Sequence, residues 1–142
     1  MDNFQQTCRE KFAEIAIDSS KNTVRVKYGA LSPTQEEFDR HLEDLGNTLQ
    51  MISPSFYVVD GSYSSMLPFC MAKKMSQWQD QHRAEITMKT VFAIFVLPNP
   101  ISRLTFNTIF QFRKPYSPYR IVPTTKQAEE LLQELMQQMP VK

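Results

Sequence analysis

With 142 residues, 42% of them hydrophobic and 22% charged, and a formal net charge of +1, the chain suits one folded domain with its own core. No run approaches the roughly 18 apolar residues of a membrane-spanning helix, and three glycines are too few for a P-loop or a dinucleotide fingerprint. Cys8 and Cys70 make neither a CxxC pair nor a disulfide framework, and the opening MDNFQQTCREKF does not read as a signal peptide, so a reduced cytoplasmic setting is expected.

In chain order, AEIAID (13–18) and TVRVKYG (23–29) alternate apolar and polar residues around the turn-prone DSSKN. Val24, Val26 and Tyr28 face one way, Arg25 and Lys27 the other, which predicts a half-buried antiparallel hairpin. SPTQEEF then opens a helix. Ser32 is the expected N-cap, Pro33 suits the first helical position, and Gln35 completes a capping box. Phe38, Leu42, Leu45, Leu49 and Ile52 line one face of that helix, which ends before Pro54.

SFYVVDGS reads as a short buried strand ending at Asp60. Leu67, Met71, Met75, Trp78 and His82 then fall on one helical face. VFAIFVL (91–97) is the most apolar run and lacks alternation, as in a central parallel strand covered on both sides. A helix from Asn99 to Lys114 follows, with Asn99 as cap and Pro100 in its first turn. YRIVP is a last short strand. TTKQAEELLQELMQQM closes the chain as a helix with Ala128, Leu131, Leu132, Leu135, Met136 and Met139 inward. The order β-β-α-β-α-β-α-β-α predicts an α/β domain with a mixed, mostly parallel sheet and an N-terminal β-hairpin.

Charge is unevenly spread. Residues 1–62 hold 6 basic and 10 acidic side chains, a balance of −4, and residues 63–142 hold 10 and 5, a balance of +5. Six basic residues (Lys89, Arg103, Arg113, Lys114, Arg120, Lys126) lie between Ile86 and Lys126 with no acid among them. Either an anionic partner meets the basic half, or the acidic first helix neutralises it within the fold.

The stretches FYVVDGS and VFAIFVLPNPISRLTFNTIFQFRKPYSPYRIVPTTKQAEELLQEL resemble the STAS superfamily (sulfate transporter and anti-sigma factor antagonist), and within it the SpoIIAA-like single-domain bacterial proteins. An apolar strand leads into an N-P helix start with an Arg, then a K-P-x-x-P turn, a short strand and an acidic helix beginning T-x-x-x-A. The likeness runs from about Ser32 to Leu135 and is strongest after Val91. It implies one STAS-like domain over residues 1–142, with a regulatory or adaptor role and no catalysis. Anti-sigma antagonists of that superfamily carry a phosphorylated Ser in an Asp-Ser-x-Gly motif at a helix start. The corresponding DGSYSSMLPF has Asp60, Ser62, Ser64 and Ser65 without that motif, so these serines are candidate phospho-acceptors or plain helix caps.

The residues themselves point to binding rather than catalysis. His41 is expected to face solvent, His82 to extend an apolar stripe, and Cys70 to be an inert buried thiol, so no nucleophile–base pair or metal set is expected, and no cofactor. The helix after Asn99 carries more large apolar residues than one face needs. Ile101, Leu104 and Ile109 are assigned to the sheet, leaving Phe106 and Phe110, four apart, on another side with Arg103 at the edge. That pattern is either a docking patch for a protein, a second copy of the chain among the candidates, or a surface covered by the last helix. Peripheral membrane contact fits the same pattern less well.

In QFRKPYSPYRIV (111–122), Arg113, Lys114 and Arg120 stand beside two tyrosines, but Pro115 and Pro118 serve chiefly to stop a helix and start a strand. A basic rim is its secondary role, and no nucleic acid is expected as partner. Contact residues are therefore sought among Asp60, Arg103, Phe106, Phe110, Arg113 and Lys114. The alternative is a small apolar ligand or lipid, held as in STAS-like and CRAL-TRIO-like domains beneath a helix, in a pocket lined by some of the eight methionines and ten phenylalanines.

Overall fold

The structure is a computed structural model, and it describes residues 12–29, 32–62, 68–110 and 115–139. Strands β1 (Ala13–Asp18) and β2 (Thr23–Tyr28) pair antiparallel, from Ala13 opposite Tyr28 to Asp18 opposite Thr23. One 3₁₀ turn, Ser19–Lys21, joins them. The Asp18 carboxylate accepts from Ser20 Oγ at 2.6 Å and from the Lys21 N–H at 3.3 Å, and Asn22 takes the left-handed conformation at φ 48° that Asn tolerates better than most residues.

Helix α1 (Gln35–Met51) leads to β3 (Ser55–Asp60), α2 (Phe69–Gln81), α3 (Arg83–Lys89), β4 (Thr90–Val96), α4 (Pro100–Ile109), β5 (Tyr119–Val122) and α5 (Thr125–Gln138). The five strands lie in the order β1-β2-β3-β4-β5, and every pair after the first is parallel. The chain is thus an α/β domain with a mixed, mostly parallel sheet, and β4 is interior to it, as its unbroken apolar run requires.

Three local expectations shift. Thr34, not Ser32, caps α1: its Oγ1 accepts from the Glu37 N–H at 3.1 Å while Glu37 Oε1 accepts from the Thr34 N–H at 2.8 Å. Both boxes can be written in the sequence, and the one closed by a carboxylate wins because an ionised acceptor at the positive helix end is the stronger partner. The second helix breaks at His82 into α2 and α3; His82 donates its N–H to Trp78 O at 3.0 Å, and its ring stacks on Trp78 at 4.4 Å between centroids. Finally, α4 ends at Ile109 with Phe110 as C-cap, and residues 111–114 of the expected helix lie outside the described residues. Asn99 caps its start as expected, accepting from the Ser102 N–H at 2.8 Å, with Pro100 in the first turn.

The two faces of the sheet carry different loads. On one, Phe56, Val58, Ile94, Val96 and Val122 pack against Ala128, Leu132 and Leu135 of α5, with Leu131 and Met136 beside them. Arg25 projects to this side and meets Glu129 of α5 in a two-pronged pair, one prong at 2.8 Å. The other face receives α1, α2 and α4. Phe38 and Leu42 pack with Met71 and Met75, while Val24 and Val26 pack with Ile52. Lys74 of α2 pairs with Asp39 of α1. Lys74–Asp39 pairs a base of the basic second half with an acid of the acidic first half, whereas Arg25–Glu129 runs the opposite way, so these two pairs together do not offset the charge imbalance between the halves.

Candidate functional site

The face under α1, α2 and α4 does not close. Strand register sets Val24, Tyr57, Ala93 and Tyr119 in one row across the sheet, and Val26, Val59, Phe95 and Ile121 in the next. Ala93 is the smallest residue in those rows and stands between two tyrosines. A methyl group there leaves the floor lower than its neighbours, and a cavity of about 210 Å³ lies between sheet and helices. Phe38, Leu45 and Leu49 of α1, Met75 and Trp78 of α2, and Phe106 and Ile109 of α4 form its walls, with Pro115 to Ser117 at one end.

Its lining is overwhelmingly apolar. Among the described residues no Lys, Arg, Asp, Glu or His side chain lines it. The hydroxyls around it are mostly committed. Tyr28 Oη shares a hydrogen bond of 2.9 Å with His41 Nε2, Thr48 Oγ1 donates to Asp44 O at 2.8 Å, and Ser102 Oγ donates to Asn99 O at 3.0 Å. Tyr116 Oη donates to Asp80 Oδ1 at 2.8 Å. Tyr57 differs. Its ring lines the cavity and its Oη, closed off from solvent, is the single buried side-chain polar atom without a partner among the described residues. Burial raises its pKa, so the phenol stays protonated at neutral pH.

Beside the cavity, His41 is 5% exposed, contrary to its expected solvent position. It follows Phe38 by three residues and so shares the core stripe of α1, where the rings of Phe12 and Tyr28 meet it edge-on at 5.4 and 5.2 Å. Burial lowers its pKa from 6.5 to about 4, which keeps it neutral. Cys70 also departs from expectation and is exposed. Met71 and Met75 take the inward face of α2, and Cys70 is turned about 100° from Met71.

Of the expected contact residues, Phe106 and Phe110 reach the cavity, by a different route from the one anticipated. Their rings lie 4.8 Å apart and pack on Phe95 at 4.9 and 6.4 Å, with Tyr119 6.2 Å from Phe106. They are the inward face of α4, while Ile101 and Leu104, assigned to the sheet, are 53% and 50% exposed. Neither does α5 cover the two phenylalanines, since it lies on the opposite face. Arg103 donates from Nε to Leu97 O at 3.3 Å, tying the first turn of α4 to the end of β4.

Asp60 ends β3 and accepts the Ser62 N–H at 2.8 Å, a turn that leaves Ser62 well before the start of α2. The cap of α2 is Pro68, which corrects the reading of Ser64 or Ser65 as its N-cap. Ser64, Ser65, Arg113 and Lys114 themselves lie outside the described residues. Asp60, Ser62 and Arg103 are not among the cavity walls. Tyr57 and Ala93 carried the signal missed in the sequence: a polar ring in one apolar strand and a small residue in the next.

No family model matches this chain, and no curated protein matches it. Among the described residues no helix is long and apolar enough to cross a membrane, and no three His, Cys, Asp or Glu side chains are grouped to hold a metal ion.

Proposed function

We propose that this chain is a non-enzymatic, STAS-like binding domain that holds a small apolar ligand between its sheet and the three helices α1, α2 and α4. The observation that carries the reading is the apolar cavity of about 210 Å³. A fully packed interior leaves few voids larger than a water molecule, and an apolar void of about 150 Å³ already stays dry and accepts benzene. An antiparallel first strand pair followed by parallel strands in sequential order supports the STAS-like assignment, with a cytoplasmic regulatory role as its corollary. Fold alone does not set the ligand; the walls do.

Ethylbenzene is the simplest probe. The wild-type protein is expected to bind it saturably at one site by calorimetry, and Ala93→Leu, which raises the floor, is expected to weaken binding at least tenfold while remaining folded. Equal binding by the two proteins would move the site elsewhere; no binding to the wild type would end the cavity reading.

A second reading, docking of a protein through the helices after Asp60 and Asn99, rests on Phe69, Ile101 and Leu104, which are 60%, 53% and 50% exposed at the starts of α2 and α4. Light scattering decides whether that partner is the chain itself: a dimer dissociated by Ile101→Ser with Leu104→Ser supports self-docking, and a monomer at all concentrations rejects it.

A further inference from the structure

We infer that the occupant is aromatic: a single planar ring with a short apolar substituent, held against the rings of Phe95, Phe106 and Phe110. The inference rests on the cavity reading and adds the chemical class of the ligand.

Aromatic side chains are concentrated where that ligand would sit. Nine of the 28 described residues around the cavity are aromatic, in a chain that is 11% aromatic. Ring surface must also be open to an occupant, and Phe95 shows that it is. It stands near the end of β4, an interior strand, and points to the side covered by α4, yet it stays half-buried instead of closed off. Its remaining surface belongs to the cavity wall. Trp78, Phe106 and Phe110, which also line the cavity, are half-buried in the same way.

The geometry of these rings favours one kind of neighbour. Phe95 meets Phe106 at 4.9 Å and 69°, and Phe110 at 6.4 Å and 71°, both edge-to-face arrangements. Phe106 and Phe110 tilt by 46° at 4.8 Å. An aromatic ring has negative faces and a positive edge, so such a cluster is extended favourably by one more ring, set edge to face or offset. An aliphatic occupant of equal size gains the burial alone. Volume sets the size. The cavity measures about 210 Å³, and a void of roughly 150 Å³ takes benzene, so one ring with about two further carbons fits.

Two hydrocarbons of equal carbon number, ethylbenzene and ethylcyclohexane, test this by headspace partition over the wild type, Phe106→Leu and Phe110→Leu. Leucine keeps a branched apolar group and removes the ring, and cooperative thermal unfolding checks that each variant is folded. Ethylbenzene is expected to weaken roughly two- to tenfold in each variant, and ethylcyclohexane to stay within about twofold or to be refused by the wild type altogether. Comparing each probe with itself cancels their different transfer from water. If both probes change by the same factor, if ethylbenzene is unaffected, or if ethylcyclohexane alone binds the wild type, the inference fails although the cavity reading stands. Should Phe106→Leu not fold, Phe110→Leu, at the end of α4, decides by the same criterion. If neither hydrocarbon binds the wild type, both readings fail.

Discussion

Phe38→Ala is expected to destabilise the domain by about 3–5 kcal/mol, the range for a buried phenylalanine cut to its Cβ, and to lower the thermal midpoint by roughly 10 °C or more. Phe38 is 0% exposed and stands where three groups meet: Leu42 on its own helix, Met71 and Met75 on α2, and Phe12 beside β1, its ring 6.1 Å away. Few of these can close the gap. Met71 and Met75 are the most adaptable, but both are held by the helix they anchor. The ring is also part of the cavity wall, so the same truncation enlarges the cavity. The variant should therefore accept a larger apolar probe than the wild type, such as butylbenzene, and gain thermal stability on binding it. Denaturant unfolding and calorimetry measure the two halves. A loss below about 1 kcal/mol would mean that Phe38 is not held in a close-packed α1–α2 contact.

Acidification below neutrality is expected to weaken the fold through His41. Burial holds its folded pKa at about 4, against 6.5 for a solvated histidine. Between those values the unfolded chain takes up a proton that the folded chain refuses, so stability falls as pH drops through 6.5 and this contribution levels off below 4. The loss amounts to about 2 kcal/mol between pH 7 and pH 5 and to about 3 kcal/mol in all. His41→Gln cannot titrate and should flatten the profile above pH 5, where most carboxylates remain ionised. Urea unfolding at several pH values gives the slope directly. A wild-type profile already flat between pH 7 and 5, or a Gln variant with the original slope, would place His41 in contact with water.

Both effects depend on residues whose surroundings were only half legible. Phe38 announces itself, since its spacing to Leu42, Leu45 and Leu49 marks a helix face. His41 belongs to the same face by the same geometry, yet a polar side chain at that position is also compatible with the solvent boundary. What decides its burial is Phe12 and Tyr28, contributed by β1 and β2. The reversal of α4 has the same origin. Ile101, Leu104, Phe106, Ile109 and Phe110 populate so much of the helix surface that periodicity allows more than one inward direction. Phe95 and Tyr119 select it, by offering aromatic surface to Phe106 and Phe110.

The sequence by itself determined the succession of strands and helices apart from the break at His82, the Asn99 cap, the interior position of β4 and the inward residues of α5 except Met139, which is exposed at the helix end. Each of these follows from short-range rules: a repeat of two or 3.6 residues, a capping side chain, an unbroken apolar run. Only the tertiary structure decided that α5 lies alone on one face, that α4 turns its phenylalanines inward, and that a cavity opens above Ala93. The void arises because parallel pairing brings Tyr57, Ala93 and Tyr119, far apart in the chain, into one row. A small side chain becomes a cavity floor only once its neighbours are known, and those neighbours are set by strand register rather than by any local spacing.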